Sequence, residues 1–581
     1  MKAAASLRKF MAGWSALTVF GLIVAVLIAM PVLSVFSNVL VAGTSDTWSH
    51  MAQTVLPEFI RNTIILCLGV GLGVSSIGIT AAWLTTMHDF PGRRFFEWAL
   101  VLPLAVPAYV MAYAYTDFLQ FVGPVQSYLR ETFGWRAGDY WFPDVRSVGG
   151  AVAMFIFVLY PYVYLLARTA FLERAGGMLE AGRSLGLGPW RCFFKVSLPL
   201  ARPALVAGTA LALMETLADY GTVAYFGVQT FTTGIYRAWF SLGDRAAAAQ
   251  LAALLLGFVI LVLVLEHLSR GRARFNNTSR QTGPPVRIQL VGARAWLATF
   301  ACFMPLVLGF LLPGGLLLQM ALVDGDAQFG PRFLTLARNS FLLAAVSAVL
   351  AVGIAVLLAY ASRLARSSVP AAANRIVGLG YAVPGSVIAV GVLIPVTRLD
   401  HFIASGWENL FGVNPGLVLT GGIAALVYAY LTRFLAIALH TVDSSLGKIT
   451  PSMDDASRSL GHGKFATLRR VHIPLLRGSL LTAGLLVFVD VMKELPATLV
   501  MRPFNFDTLA TQAHTLAADE RLAEASTAAL TIVAVGLVPM FILSRQIVKT
   551  RGAGKTRVVI GTPEAPPLTH DGMVDATGGP R

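Results

Sequence analysis

The stretch Glu180-Ala181-Gly182-Arg183-Ser184-Leu185-Gly186 runs on through Trp190 and Lys195 to Leu198-Pro199, and the chain repeats its form. The second copy is Asp455-Ala456-Ser457-Arg458-Ser459-Leu460-Gly461, continuing through Lys464 and Arg469 to Ile473-Pro474. In both copies an acid precedes the glycine by six positions and the proline by nineteen, and the copies lie 275 positions apart in 581 residues. That register describes a tandem duplication. Each copy is polar and basic between long apolar runs. It predicts a surface loop made of a short helix, a glycine turn and a second short amphipathic helix ending at the proline.

With 56% apolar residues, 13% charged residues and a mean hydropathy of +0.69, the chain is a polytopic membrane protein, all α. Its net charge of +15 is spread over short loops between apolar runs, so a nucleic-acid surface is excluded. Cys67, Cys192 and Cys302 have no pair spacing that suggests a disulfide or a metal knuckle, and the histidines form no H-E-x-x-H or similar set. The cysteines and histidines offer no ligand set, and no catalytic cluster is expected.

The first apolar run, residues 14–36, is too long for a signal-peptide core and is read as a retained span. Further runs that approach the roughly 20 residues a bilayer helix requires lie at 62–84, 98–118, 150–170, 203–224 and 246–266. The second half offers 295–322, 339–361, 376–397, 415–440, 479–500 and 527–545. This gives about 12 transmembrane helices in two parallel six-helix repeats, each with the repeated loop between its fourth and fifth spans. Arg61-Asn62-Thr63 echoes Arg338-Asn339-Ser340, and Ala105-Val106-Pro107 echoes Ala382-Val383-Pro384, both at offset 277. The expected organisation is a first repeat at 1–268, a cytoplasmic linker at 269–294, a second repeat at 295–549 and a disordered cytoplasmic tail at 550–581. With the N-terminus cytoplasmic, 32 of the 45 Lys and Arg fall on the inner side, which orients both termini and both repeated loops to the cytoplasm. In the tail, Gly552-Ala553-Gly554-Lys555-Thr556 imitates the end of a phosphate-binding loop, but Lys549 stands where its first glycine belongs. No ATPase site of the chain's own is expected.

Acids inside spans are costly and mark a pathway or a partner. Glu215 and Asp219, four apart, are expected on one face of the fifth span; Asp490 and Glu494, with Lys493 between them, repeat the pattern at offset 275. Counting about 1.5 Å per residue, Asp219 falls roughly 24 Å into a core about 30 Å thick. Two readings stand: carboxylates that attract a hard cation, or a lock in which Lys493 neutralises an acid of the opposite half.

The spacing of the repeated stretch resembles the EAA loop of the membrane permeases of bacterial ABC importers, and the resemblance covers nearly the whole chain. The departures are Gly182 and Ser457 for the second alanine and Asp455 for the glutamate. The stretches Glu215 to Val223 with Phe231 to Arg237, and Asp490 to Thr498 with Arg502 to Ala510, look like the fused permeases of ferric-iron importers. The resemblance implies the MetI-like fold of a type I importer in a bacterial inner membrane. It implies two copies of a separate ATPase, which hold the ATP and Mg, docked at Glu180, Ala181, Gly182, Gly186 and Pro199 and at Asp455, Ala456, Ser457, Gly461 and Pro474. It also implies a periplasmic iron-binding protein meeting the loops Tyr225 to Arg245 and Met501 to Glu524. Thiamine, a phosphonate or another small solute is the alternative cargo. An ion-coupled secondary transporter using the four acids is the alternative class, and it leaves the repeated loop unexplained.

Overall fold

The computed structural model describes residues 15–41, 46–270, 287–323, 330–365 and 367–552; for a few of these, among them 173–183 and 543–552, the backbone alone is described. Among the described residues eleven helices are long and apolar enough to cross a bilayer, and a twelfth span is a helix pair broken by a sharp bend. The first half contains α1 (Ala16–Val41), α2 (Leu56–Met87), α3 (Ala108–Leu119), α4 (Val148–Ser184), α5 (Leu198–Ala218) and α6 (Arg245–Arg270). The second contains α7 (Ala293–Val323), α8 (Pro331–Leu364), α9 (Gly385–Phe411), α10 (Ala424–Leu446), α11 (Ile473–Met492) and α12 (Leu522–Gly552). Leu72, Val349 and Leu481 stand exposed on their helices, as side chains facing lipid tails do. The chain from Phe541 onward is a second unit, described only as the end of α12. The central linker residues 271–286 and the tail from 553 lie outside the described residues.

The third span is not the continuous run 98–118. A 3-10 turn, Leu102–Ala105, ends at Val106 in extended conformation, Pro107 starts α3, and the two pieces meet at 91°. The ninth span breaks at the same place: a helix Val369–Gly378 and a 3-10 turn Leu379–Ala382 lead to extended Val383, and α9 starts after Pro384. The cause is local. A residue before proline is pushed out of the helical region, and the proline N–H that a continuing helix would use does not exist. The tenth span also starts later than 415. Residues ahead of α10 are gathered instead around the buried Asp400, whose Oδ1 accepts the N–H groups of Val418 (2.9 Å) and Leu419 (2.8 Å). Its Oδ2 accepts the N–H (2.7 Å) and hydroxyl (2.6 Å) of Thr420.

The halves interlock by exchanging their first spans. α1 packs against α9 of the second half, and α7 against α2 and α3 of the first. At Gly391 of α9 a Cβ would fall 2.3 Å from the carbonyl oxygen of Pro31, so this crossing admits only glycine. The sequence echo at Asn62 and Asn339 also acquires a physical meaning. Each side-chain amide donates to the backbone carbonyl just before a threonine-capped helix: Asn62 to Gln229 (2.9 Å) before Phe231–Tyr236, and Asn339 to Asp507 (3.0 Å) before Leu509–Ala518. Both short helices are largely buried, and the stretches expected as docking loops are exposed chiefly at 240–243, 504–505 and 518–521.

Candidate functional site

α5 stops at Ala218 and leaves Asp219 in extended conformation, so Glu215 and Asp219 do not share a helix face as expected. Asp219 instead opens the short helix Gly221–Tyr225. Its carboxylate accepts the N–H of Thr222 (2.9 Å), the Thr222 hydroxyl (3.1 Å) and the N–H of Val223 (3.4 Å). The second half does the same. α11 stops at Met492, and Glu494 accepts the N–H groups of Ala497 (2.8 Å) and Thr498 (3.0 Å) and the Thr498 hydroxyl at the start of Pro496–Met501. Two of the four acids expected on a pathway thus cap helices at a break in their span, where the exposed N–H groups carry partial positive charge.

The other two acids are paired. Glu215 accepts the Tyr381 hydroxyl (2.7 Å) and faces Arg433 (3.3 Å), both from the second half. Lys493 reaches Asp490 of its own helix at 2.8 Å, so the cation that crosses between halves is Arg433, not Lys493 as the locking reading had it. All six charged groups line one cavity of about 110 Å³ between the halves, with Tyr109, Tyr162 and Tyr381 in its wall. Four carboxylates there meet two cations. A cavity of this size has room for only a few water molecules. Two more contacts join the halves, Arg146 to Glu520 (3.2 Å) and the Tyr113 hydroxyl to His514 Nδ1 (2.8 Å). Sequence reading missed Arg433 and the tyrosines; a lone arginine within an apolar run was the available signal.

The repeated loops superimpose in their residue numbering. Gly186 has φ +80° and Gly461 φ +79°, the left-handed conformation that glycine supplies without strain. The helices after the turns, Pro189–Cys192 and Lys464–Thr467, are offset by 275, as are the wide π turns that follow, Phe193–Ser197 and Leu468–His472. The second short helix does not end at the proline. Pro199 and Pro474 sit in the first turn of α5 and α11, and the widened turn before each accommodates the ring that a regular helix would clash with. The first helix of each loop differs: Glu180, Ala181 and Gly182 continue α4, whereas Asp455, Ala456 and Ser457 belong to a separate helix, Pro451–Ser459. Asp455 is exposed beside Arg458, and Ser457 is buried with its hydroxyl 2.8 Å from that of Thr467. Around both turns large apolar side chains face outward, Leu185 (82% exposed) and Trp190 (73%) in the first, Leu460 (77%) and Phe465 (73%) in the second. Cys67, Cys192 and Cys302 are free thiols. Among the described residues no cluster of three His, Cys, Asp or Glu could hold a metal ion.

The family model described as "Binding-protein-dependent transport system inner membrane component" matches residues 74–274. The chain is similar to the Fe(3+)-transport system permease protein FbpB 2 of Haemophilus influenzae, 26% identical over 538 residues, 92% of this chain and 98% of the relative. It is similar to the ferric transport system permease protein FbpB of Actinobacillus pleuropneumoniae, 23% identical over 476 residues, 77% of this chain and 65% of that one. It also resembles the molybdenum transport system permease protein ModB of Escherichia coli, 30% identical over 207 residues, 34% of this chain and 87% of the relative.

Proposed function

The chain belongs to the inner-membrane components of binding-protein-dependent transport systems, and from that premise we propose that it is the fused permease of an ATP-driven importer of ferric iron. Residues 1–268 and 295–549 each supply one half of the permease, and both termini lie in the cytoplasm. Two copies of a separate ATPase, carrying the ATP and Mg, dock on the two loops, and the chain itself hydrolyses nothing. A periplasmic binding protein releases Fe³⁺ at the outer face. The observation that carries this reading is the pair of glycine turns, each flanked by an exposed leucine and an exposed aromatic residue at matching positions, one per half. Apolar side chains held out on a rigid turn gain by burial in a partner, and rigid-body motion of that partner moves the spans joined to the turn.

Iron as cargo is supported by the names of the two long relatives and by the cavity, where carboxylates outnumber cations and oxygen donors suit a hard ion. Its small volume favours an ion with few waters over a bulky chelate. Asp219 and Glu494, engaged as helix caps, act in this reading as acids along the path rather than as free ligands. ATP hydrolysis by the chain assembled with its ATPase in liposomes tests the proposal. Iron-loaded binding protein is expected to stimulate hydrolysis and empty binding protein to leave it low. Equal rates with either form would remove iron as the cargo and leave the importer.

A further inference from the structure

Among the described side chains, the two loops meet the membrane helices behind them through different chemistry. In the second half α8 holds the loop at both of its short helices. Arg363 donates through Nε to Asp454 Oδ2 (2.9 Å), and through Nη1 and Nη2 to the carbonyls of Leu446 and Ile449 (2.8 Å each). One turn back, the Tyr360 hydroxyl donates to the Lys464 carbonyl at 2.6 Å. His472, fully buried at the foot of α11, donates through Nε2 to Asp454 Oδ1 (2.6 Å) and packs edge-on against Tyr360. Among the described residues its Nδ1 has no hydrogen-bond partner, so the hydrogen bond described for its ring ties it to Asp454. A single carboxylate of the loop is thereby tied to two spans, α8 and α11, by directional bonds.

The corresponding residues of the first half are Trp83 and Thr86 on α2 at offset 277, and Leu179 and Ser197 at offset 275. Trp83 meets Phe193 (4.8 Å between centroids) and Phe171 (5.4 Å), while the Thr86 hydroxyl turns back to its own helix at Ala82 (2.6 Å). Aromatic packing fixes distance but tolerates sliding and rotation, whereas a charged hydrogen-bond network has few geometries in which all its partners are satisfied.

We propose that Asp454, with Arg363, His472 and Tyr360, is a positioning clamp that makes the second loop a stiff arm, converting movement of its ATPase into movement of α8 and α11. This rests on the ATP-driven importer reading above. The clamp residues lie at the cytoplasmic loop and touch no cargo.

The test is the number of ions imported per ATP hydrolysed by the full complex in liposomes. Asp454→Asn is expected to keep the ATPase bound and its hydrolysis within about twofold, while ions per ATP fall about tenfold, a coupling loss of ordinary allosteric size. Asp454→Glu, which keeps the charge, is expected to recover at least about half of the ratio. Arg363→Gln is expected to lower the ratio as Asp454→Asn does, and the double variant to be no worse than either, because they break one network. An unchanged ratio in both single variants overturns the clamp. Loss of ATPase binding in both, unrelieved by Asp454→Glu, overturns it in favour of a purely folding role. Failure of the unsubstituted complex to couple ATP hydrolysis to import counts against the importer reading itself.

Discussion

The first and second loops share a register down to the residue, yet among the described side chains one is backed by Trp83, Phe171 and Phe193 and the other by Arg363, Asp454 and His472. What the copies keep in common faces outward: a left-handed glycine, an exposed leucine and an exposed aromatic residue. What differs faces the spans. On the proposed reading the outward surfaces meet the same partner twice and are held alike, while the inward attachments each pack against a different neighbour.

That contrast can be broken at matched positions. Arg363→Met removes the part-buried guanidinium that joins Asp454 to the carbonyls of Leu446 and Ile449 and is expected to cost about 3 kcal/mol, the upper end for hydrogen bonds to a charged group. Thr86→Ala at the same place in the first half removes one hydroxyl bonded to its own helix and should cost less than about 1 kcal/mol. Thermal unfolding of the purified chain in detergent compares them, and equal costs would erase the distinction. Next in size is the reverse pair. Trp83→Leu is expected to cost about 2 kcal/mol of aromatic burial, against about 1 kcal/mol for the single hydrogen bond lost in Tyr360→Phe. Gly186→Ala and Gly461→Ala sharpen the common part: both force an alanine into a left-handed backbone, at about 1 kcal/mol each, and ATPase binding should weaken alike in the two. The smallest effect is expected from Ser457→Ala, about 1 kcal/mol or less for a buried hydroxyl pair, read as faster hydrogen exchange in Pro451–Ser459; protection equal to the unsubstituted chain would deny the Thr467 contact any role.

Much of this was legible in the sequence because it is local or repeated. The duplication, the glycine turns and most of the spans followed from spacing and hydropathy. Where reading failed, a short polar signal overruled an apolar run. Val106-Pro107 and Val383-Pro384 break spans that hydropathy alone runs through, and Asp219, followed three residues later by Thr222, ends a helix in order to cap the next. The contacts that assemble the cavity left no local trace. Glu215 meets Tyr381 and Arg433 across 166 and 218 residues of chain, and only packing of the two halves brings them together. The same holds for Asp454, hidden beside the exposed Asp455 that aligned with the first copy's Glu180.

The central claim is that ATP drives cargo through this chain by way of an ATPase on its loops. Uptake of radioactive Fe³⁺ into liposomes holding the chain tests it most directly, with iron-loaded binding protein outside and ATP inside, in the presence and absence of the ATPase. The account predicts accumulation only when ATPase and ATP are both present. Accumulation by the chain alone, driven by a proton or sodium gradient, would contradict it and make Glu215, Asp219, Asp490 and Glu494 the coupling sites of a secondary transporter.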